Sequence, residues 1–352
     1  PPWLRGPAPL VASSLPARAP RRLHAWWRAP EAPCLRSRSR SSSMASGPSL
    51  RGGGAVAPSL SDAFATLQNT REAVTSRLWP LERRLAVPNF LQRQREWLVH
   101  GIGPAIFDVR SPGEFGQGHV PGATNLPLLD DAGRAEVGTL HRQAGREEAF
   151  DLALTHVHPR LEALLQQAHD LCSSEGAASR CHALVYCKRG GLRSQSVAAF
   201  LAQHGYEAFV LDGGYKAFRG WAEEVLARPL QVCMVGGATG SGKTEVLAAL
   251  RRLGAQIVDL EALARHKGSV FGHLGEEPQP SSEHFRNLAA CEWARLDPER
   301  PVFLEDEGAR IGDVVLPAAL YRHMRSAARV VRLDVPFELR VQRSLATYGP
   351  FG

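Results

Sequence analysis

Short apolar runs alternate with segments of helical spacing from residue 104 onward. The apolar runs predict buried strands in the segments PAIFDV (104–109), HALVYC (182–187), EAFVLDGG (207–214), LQVCMVGG (230–237), AQIVDL (255–260), PVFLED (301–306) and ARVVRLDV (328–335). Strands that alternate with helices are typical of a parallel sheet. The pattern therefore predicts an α/β fold.

Helical spacing predicts the elements before and between these strands. Five apolar residues fall on one face of a helical lead-in before Pro80, namely Leu60, Phe64, Leu67, Val74 and Leu78. Further helices are predicted at residues 89–99, 146–171 and 194–205 and from Lys243 onward. Pro159 predicts a break or kink, and Ser194 and Gly205 predict an N-cap and a C-terminal stop. Residues 111–127 predict a loop.

The first sixty residues differ from the rest in composition. They are rich in Pro, Ala, Ser, Arg and Gly without sustained periodicity, which predicts a disordered tail. This tail contains nine arginines, no lysine and one acid (Glu31), whereas the other 292 residues contain 33 basic and 34 acidic side chains. The overall charge of +7 therefore comes from the tail, and any RNA-binding surface on the folded part would be a local patch.

The tail also bears on localisation. RAPRRLHAWWRAP (18–30) is basic and free of acids, as in an organellar transit peptide. The alternative is that residues 1–43 lie upstream of a translation start at Met44. The sequence has no run of eighteen apolar residues, so no transmembrane helix is expected. We expect a cytoplasmic protein, or a mitochondrial one if the tail is a transit peptide.

These patterns divide the chain into four predicted regions. They are a disordered basic tail (1–60), a helical lead-in (61–103), a first α/β domain (104–226) and a second α/β domain (230–352). Composition shifts and the boundary near Pro229 separate them.

Cys187 stands apart among six scattered cysteines, which form no C-x-x-C pair and so predict neither a zinc site nor a disulfide framework. It alone opens a glycine-rich loop between a strand and a helix. Backbone N–H groups of such a loop can form an anion-binding nest, here within Lys188, Arg189, Gly190 and Gly191. The nest, the helix N-terminus and the nearby cations favour thiolate over thiol. Cys187 is therefore a candidate nucleophile for an anionic substrate or a transferable chalcogen.

Arg193 completes a C-x5-R spacing that two enzyme classes use. In cysteine phosphatases the arginine clamps phosphate through two hydrogen bonds, and a related loop in sulfurtransferases of the rhodanese type holds a persulfide. The loop residues alone leave both classes open.

A second glycine-rich loop, GGATGSGKT, contains G-x-x-x-x-G-K-T from Gly237 to Thr244 between a predicted strand and a predicted helix, as a P-loop requires. Gly237, Gly240, Gly242, Lys243 and Thr244 would bind a diphosphate or triphosphate, and Thr244 would ligate Mg²⁺. At the end of a later strand, Glu305 or Asp306 could hold the metal, directly or through a water.

The flanking sequence resembles rhodanese domains. FDVRSPGEFGQGHVPGATNLP (107–127) is similar to their first signature, and VLDGGYKAF (210–218) to the segment after their active-site helix. The resemblance favours the sulfurtransferase over the phosphatase and implies a structural rather than catalytic role for His119. It also implies a rhodanese-like parallel-sheet domain followed by a P-loop NTPase-like α/β domain.

The whole segment from about residue 104 to residue 348 resembles the bacterial tRNA 2-selenouridine synthase family. The motifs YCKRGGLRSQS, GATGSGKTE, IVDLEALARHKGSVFG, QPSSEHFRN and EDEGARIGDVVLP carry the resemblance. It implies a transferase that replaces the sulfur of a wobble 2-thiouridine in tRNA by selenium. Selenophosphate would be the donor, and an S-geranyl intermediate would form from geranyl diphosphate. tRNA and a selenophosphate-producing enzyme are the implied partners, and no membrane is implied.

The resemblance assigns roles to the two loops. Cys187 would accept selenium from an anionic donor held by Arg193 and the loop amides, and the P-loop would hold the diphosphate that leaves the geranyl donor, without ATP hydrolysis. Arg189, Arg265, His266 and Lys267 are candidate tRNA contacts. The chain differs from the family in its basic tail and in ending early, which predicts a truncated second domain.

Two other functions stay open from the sequence. One is a general sulfurtransferase or cysteine phosphatase fused to a P-loop kinase. The other is a nucleotide-dependent binding protein without turnover.

Overall fold

The computed structural model describes residues 79–99, 105–172 and 181–351. The predicted tail (1–60) and the predicted helical spacing of residues 60–78 lie outside these ranges. The described helices are α1 (Val87–Val99), α2 (Pro112–Gln117), α3 (Asp131–Gln143), α4 (Arg146–Val157), α5 (Leu161–Cys172), α6 (Leu192–Gln203), α7 (Gly214–Ala227), α8 (Lys243–Arg252), α9 (Leu260–Ala264), α10 (Ser282–Trp293), α11 (Ala318–Arg325) and α12 (Phe337–Tyr348). Short 3₁₀ helices occur at Leu81–Arg83, His158–Arg160 and Gly349–Phe351.

The described strands form three sheets. They are β1 (Arg84–Leu85), β2 (Ala105–Asp108), β3 (Ala123–Asn125), β4 (His182–Tyr186), β5 (Glu207–Leu211), β6 (Val232–Gly237), β7 (Gln256–Val258), β8 (Val302–Glu305), β9 (Arg310–Ile311), β10 (Val314–Val315) and β11 (Arg329–Leu333). Two of the sheets are parallel throughout, with strand orders β1-β5-β4-β2-β3 and β11-β6-β8-β7. β9 and β10 form an antiparallel pair. The predicted α/β fold class is therefore confirmed.

The first parallel sheet has a core on each face. Alternate residues of its strands point to opposite faces, so Ile106 and Leu184 pack in one cluster with α1 and α7, while Phe107 and Val185 pack in another with α5 and α6. Because both faces are covered, the strands are apolar along their whole length. This explains why HALVY was predicted as a strand from a continuous apolar run.

The second parallel sheet is built in the same way. Met234 and Leu304 face a core that includes α10 and α11, and Val235 faces a smaller core with α8. The helix α7 contributes to cores on both sheets, through Phe218 in the first and Val225 in the second. One continuous helix thus joins the two sheets, and the predicted domain boundaries near its end stay a prediction.

A polar contact between α10 and the first sheet's elements adds to this join. The Asn287 side-chain N–H₂ group donates to the His119 carbonyl at 2.9 Å and lies 2.7 Å from the Tyr215 hydroxyl. His119 stacks on Phe115 at 3.8 Å between ring centroids and hydrogen-bonds the Phe115 carbonyl through Nδ1 at 3.1 Å. These contacts give His119 a packing role next to Tyr215, whose backbone also touches the cysteine loop.

Two predicted helices occur close to where their spacing put them. The helix predicted at 89–99 begins at Val87, with Pro88 in its first turn, where the missing N–H leaves no bond unmade. The helix predicted at 146–171 is broken at Pro159, since the short 3₁₀ helix around that residue separates α4 from α5. The proline break is confirmed.

Two local predictions are wrong. The segment 111–127 is not a plain loop, because it holds α2 and the strand β3. The Ser-Pro-Gly-Glu start of α2 is a helix-initiating sequence in which the Glu114 carboxylate accepts the Ser111 N–H at 3.4 Å. Ser194 is not an N-cap either, since α6 begins at Leu192 and Gly191 is its N-cap.

The helix α3 was not predicted at all. Its spacing is weakly apolar, with a single buried residue, Gly133, so periodicity carries little signal. Asp130 caps it by accepting the Gly133 N–H at 2.8 Å. Throughout the described ranges, the helices are too short or too polar to cross a membrane.

Candidate active site

The two glycine-rich loops lie at the carboxyl ends of central strands. The cysteine loop, residues 187–193, connects β4 to α6, and the P-loop, residues 237–244, connects β6 to α8. β4 lies between β5 and β2, and β6 lies between β11 and β8. Crevices outside the carboxyl ends of parallel strands are the usual ligand sites of such sheets.

Cys187 is almost fully buried, with 3% of its surface exposed. Its Sγ lies 3.2 Å from the Ser194 Oγ, and that hydroxyl lies 3.1 Å from the Gly191 carbonyl oxygen, to which it can donate. The one hydroxyl proton can turn toward sulfur when the thiol ionises, so Ser194 can stabilise the thiolate. The Ser194 side chain therefore contacts the Cys187 sulfur and does not cap the helix start.

The start of α7 holds the carbonyl oxygens of the cysteine loop. The Cys187 carbonyl accepts the Tyr215 N–H at 2.9 Å, and the Lys188 carbonyl accepts the Lys216 N–H at 3.0 Å. In a planar trans peptide the N–H points opposite to the C=O. The N–H groups of Lys188 and Arg189 therefore point to the other side of the loop, which is the orientation that an anion-binding nest requires.

The two loop glycines are not equivalent. Gly190 has φ +64°, and a Cβ there would lie 2.6 Å from the Leu211 carbonyl oxygen and 2.9 Å from the Gly213 nitrogen. Gly191 has φ −92°, and a Cβ there would meet nothing within 4 Å. Sterics therefore require glycine at position 190 and do not require it at position 191.

Arg193 is paired with a carboxylate. Its Nη1 lies 3.5 Å from the Glu114 Oε2, and 31% of its side chain is exposed. Glu114 also lies 4.0 Å from Arg134. The guanidinium thus stands at the loop, but it shares its charge with Glu114, whereas the side chains of Lys188 and Arg189 are exposed.

The P-loop has the backbone that its motif predicts. Gly240 has φ +77°, and a Cβ there would lie 2.5 Å from the Arg340 carbonyl oxygen of α12. Lys243 begins α8, and its Nζ donates to the Gly237 carbonyl at 3.4 Å. The structure thereby brings the predicted diphosphate residues into one loop.

Arg343 of α12 contacts the P-loop through tertiary packing. Its Nη1 donates to the Ser241 carbonyl at 2.8 Å. This cation lies beside the same loop as Lys243, which favours bound phosphate. The sequence pattern missed Arg343, since the contact joins residues about a hundred positions apart and no local motif marks it.

A buried carboxylate pair faces Thr244. The Thr244 Oγ1 lies 3.3 Å from Glu305 and 3.4 Å from Glu261, and its one hydroxyl proton can be donated to either carboxylate. Burial, together with repulsion from neighbouring carboxylates, raises the pKa of Glu261 and of Glu305 to about 8. Glu261 follows the end of β7, and an acid at that edge of the sheet is the signal that could have found it.

The predicted metal residues separate into two places. Glu305 lies with Thr244, whereas Asp306 pairs with Arg325 away from that hydroxyl. In the described ranges, no group of three or more His, Cys, Asp or Glu is arranged to hold a metal ion. A P-loop Mg²⁺ takes a hydroxyl, a carboxylate and phosphate oxygens, and Thr244 and Glu305 are the residues here that could supply the first two.

Two cavities adjoin the P-loop and share some of their walls. A cavity of about 270 Å³ is lined by the loop itself and by Glu261, Lys267 and Arg343. A second of about 490 Å³ has mostly apolar walls, including Phe271, Leu345 and Tyr348. Both cavities contact Thr239, Ser344 and Tyr348. A ligand with an anionic end and an apolar body could therefore occupy both.

The candidate tRNA contacts of the second domain do not form a basic face. Arg265 pairs with Glu277 at 3.3 Å, and His266 is buried, which lowers its pKa. Lys267 lines the P-loop cavity and pairs with Glu276 at 3.1 Å. Among the four candidate tRNA contacts, Arg189 is the exposed one, and it lies on the cysteine loop.

Comparison with known proteins finds two family models that match separate parts of the chain. The family model for a rhodanese-like domain matches residues 91–220, and the family model for the tRNA 2-selenouridine synthase AAA domain matches residues 230–350.

Curated relatives extend the similarity across both domains. The tRNA 2-selenouridine synthase of Cupriavidus necator is 40% identical over 251 residues, which is 70% of this chain and 66% of the relative. The protein of the same name from Bdellovibrio bacteriovorus is 37% identical, over 69% of this chain and 64% of the relative. This chain thus spans about 64–66% of the length of these two relatives. With both family domains in the same order and this identity across them, the chain belongs to the tRNA 2-selenouridine synthase family.

Proposed function

We propose that this chain is a tRNA-modifying transferase that exchanges the sulfur of a wobble 2-thiouridine for selenium through a prenylated intermediate. The family to which it belongs supports the tRNA substrate. The observation that carries the proposal is the apolar cavity beside the P-loop. The cavity suits a diphosphate donor with an apolar chain. Such a donor would explain why the chain has a P-loop in addition to the anion-binding cysteine loop.

The P-loop side would bind geranyl diphosphate. Loop N–H groups, Lys243 and Arg343 would hold the diphosphate, and the ten-carbon chain would lie against Phe271, Leu345 and Tyr348. The thione sulfur of the uridine attacks the first carbon of the geranyl chain, and the uridine loses its N3 proton to water. The carbon–oxygen bond breaks, and its electron pair leaves with the diphosphate. Cations placed at the leaving group stabilise the charge that develops there.

Mg²⁺ bound at Thr244 and Glu305 would neutralise part of the diphosphate charge. The raised pKa of Glu305 supports this assignment, since a buried carboxylate without a cation is costly. No ATP hydrolysis is required by the proposal, because the diphosphate of the prenyl donor supplies the leaving group.

The cysteine side would exchange selenium for sulfur with selenophosphate as donor. Selenium enters as selenide and forms the C2–Se bond. The C2–S bond breaks with its electron pair on the prenyl thiolate, which takes a proton from water. The exchange is therefore redox-neutral.

Cys187 has a balanced role as the acceptor of the phosphoryl group. Its thiolate attacks phosphorus, the P–Se bond breaks with its electron pair on selenium, and water later frees phosphate from the sulfur. Selenium carried on the Cys187 sulfur, the role expected from the sequence, would stand two electrons above selenide. Loading by that route would need an oxidant, or phosphorus would have to leave at the phosphite level, and release of selenide would then need a thiol reductant. The nest and Arg193 suit a tetrahedral phosphate in either case.

The test reconstitutes the two half-reactions with purified protein. tRNA bearing 2-thiouridine is incubated with geranyl diphosphate and Mg²⁺ without ATP, and nucleoside mass spectrometry measures S-geranyl-2-thiouridine. Addition of selenophosphate is expected to convert it to 2-selenouridine. An absolute requirement for ATP would overturn the assignment of the P-loop to geranyl diphosphate.

Two further readouts separate the alternatives. Intact-protein mass spectrometry is expected to find a phosphoryl adduct on Cys187, and a selenium adduct would restore the carrier role. Turnover of thiosulfate or a phosphomonoester, without any reaction on tRNA, would favour the general sulfurtransferase or phosphatase.

A further inference from the structure

A further apolar cavity of about 280 Å³ lies beside the cysteine loop, between α6 and the helices α3, α4 and α5. Its interior walls are aliphatic and aromatic side chains, among them Leu154, Val157, Leu164, Leu192, Val197 and Phe200. The steps described for Cys187 make no use of it. An empty apolar cavity lowers stability in proportion to its volume, so a cavity retained at a reactive loop calls for an occupant.

The cavity and the thiol share the first turn of α6. Residues 192, 193, 196, 197 and 200 line the cavity, at the three- and four-residue spacing of one helix face. Ser194 projects from a different face of the same turn and contacts the Cys187 sulfur. A ligand in the cavity would therefore emerge next to the cysteine loop.

The exposed part of the cavity wall is basic. His141 and Arg146 are the exposed lining residues in the described part of the chain, and Arg193 is partly exposed. The interior offers little polar surface. This division fits a ligand whose apolar chain is buried and whose attached group is anionic.

The volume fits a chain of about ten carbons. An apolar protein cavity of roughly 150 Å³ binds benzene, a six-carbon ligand. In the same proportion, about 280 Å³ accommodates ten to eleven carbons. A single-ring metabolite would leave much of the space empty, and a fifteen-carbon chain would exceed it.

We propose that this cavity binds the geranyl chain of the S-geranylated uridine while selenium is exchanged at C2, an inference that rests on the proposed function. The geranyl chain is attached to the uridine at the P-loop and is still attached when the uridine reaches Cys187. Each reaction site therefore needs an apolar space next to its anion-binding loop, and each loop has one. His141, Arg146 and Arg193 at the exposed edge of the cavity would then lie near the phosphates of the RNA.

The test fills the cavity and compares the two half-reactions. Ala153 lines the cavity from α4, and Ala135 on α3 is exposed and does not line it. For Ala153→Phe we expect the KM for selenium exchange on geranylated RNA to rise at least about tenfold, since several buried methylenes lose their place. Geranylation of 2-thiouridine RNA should be unchanged. Ala135→Phe is expected to leave both reactions unchanged, and thermal unfolding checks that both variants fold.

A binding measurement decides the inference independently of turnover. Fluorescence anisotropy compares an RNA hairpin with S-geranyl-2-thiouridine, the same hairpin with 2-thiouridine, and geraniol as a competitor without an RNA. Wild-type protein should prefer the geranylated hairpin, and Ala153→Phe should reduce that preference at least fivefold. Equal affinity of the wild-type protein for both hairpins overturns the inference. Equal preference in wild type and Ala153→Phe also overturns it, while the proposed function stands if selenium exchange persists.

Geraniol and an enlarged cavity separate the remaining explanations. Tight geraniol binding that displaces no hairpin would mean a cavity for a free apolar ligand, and would overturn the inference. Phe150→Ala enlarges the same cavity and should allow exchange on farnesylated RNA, which misfolding cannot produce. If Phe150→Ala keeps the wild-type preference for geranylated over farnesylated RNA, the assignment of this cavity to the geranyl chain is wrong.

Discussion

The cysteine loop and the P-loop occupy the same place in two parallel sheets, and they differ in what surrounds them. Each follows a central strand and precedes a helix, and each has one glycine whose Cβ would strike a backbone carbonyl oxygen, Gly190 against Leu211 and Gly240 against Arg340. Cys187 itself is buried, with 3% of the residue exposed, and it does not line the apolar cavity beside its loop. Around the P-loop the structure opens into a polar and an apolar cavity.

The proposed function accounts for this difference. In the proposed function a selenide forms beside Cys187, and burial would protect it from oxidation. A diphosphate must enter and leave, so its loop gains from an open, cationic cavity. On this proposal the same strand–loop–helix unit supports two reactions, and residues outside the loops decide which reaction each loop supports.

Cys187→Ser should break the comparison on one side only. The hydroxyl is a far weaker nucleophile than the thiolate, so selenium exchange should fall by at least about a thousandfold. Geranylation at the P-loop should stay within about twofold. The buried Cys233→Ser, on β6 and remote from the cysteine loop, is the control. Exchange that survives Cys187→Ser would remove this residue from the mechanism.

Lys243→Ala should break the other side. The loss of one charge-assisted phosphate contact costs about 1.5–3 kcal/mol, so geranyl transfer should fall by roughly ten- to a hundredfold. Selenium exchange on RNA that already carries the geranyl group should be unaffected. The exposed Lys216→Ala is the matched lysine control. A parallel loss of both reactions would mean that the two loops form one catalytic site.

Gly190→Ala and Gly191→Ala sharpen the comparison within one loop. Alanine at 190 must adopt φ +64° and press on two backbone atoms, so we expect about 2–3 kcal/mol lower free energy of unfolding and no selenium exchange. Alanine at 191 meets open space, and its effect should stay within about 0.5 kcal/mol. Urea denaturation measures both variants. Equal destabilisation would contradict the conformation given for the loop.

The pH dependence of stability should distinguish the P-loop side, where the pKa of Glu305 is raised from 4.5 to about 8. A raised carboxyl pKa means that the folded state holds the proton more tightly. Its stabilising contribution is complete below pH 4.5 and is lost as the pH rises toward 8.

Glu305→Gln should therefore raise the free energy of unfolding at pH 8 by roughly 2–4 kcal/mol and change it little at pH 4.5. The exposed Glu299→Gln serves as the control, and denaturant titrations at the two pH values give the measurement. Mg²⁺ with diphosphate should reduce the difference in wild type. A gain of equal size at both pH values would exclude titration as its cause.

Sequence patterns predicted the parts of the fold whose signals are local. The strand runs, the break at Pro159 and the glycine at 190 follow from periodicity and backbone sterics near each residue. α2 was missed although its Ser-Pro-Gly-Glu start is a local signal, because the glycines around it resemble a loop. α3 was missed because it buries almost nothing.

The sequence predicted those residues of the candidate site that belong to a local motif. Lys243 and Thr244 come with the P-loop spacing, whereas Arg343 reaches the loop through tertiary packing that the sequence does not encode locally. Asp306 was indistinguishable from Glu305 in sequence. In a strand, neighbours point to opposite faces, and the structure places Glu305 at Thr244 and Asp306 at Arg325.

Glu114→Gln should have the smallest effect and gives the finest test of the contrast between the loops. The carboxylate lies 3.5 Å from Arg193, and a partly exposed pair of this kind is worth about 1 kcal/mol or less. Glutamine can still accept the Ser111 N–H, so α2 should keep its start. Removal of the charge frees Arg193 for the donor, and the KM for selenophosphate should fall by about two- to fivefold at unchanged geranylation.

Arg134→Gln is the counterpart to Glu114→Gln, because it removes a more exposed and more distant partner of the same carboxylate, at 4.0 Å. It should strengthen the interaction of Glu114 with Arg193 and raise the KM for selenophosphate by no more than about twofold. A rise in KM for Glu114→Gln would show that the carboxylate positions Arg193 rather than competing for it. The cysteine loop would then resemble the P-loop in having a cation already placed for its anion.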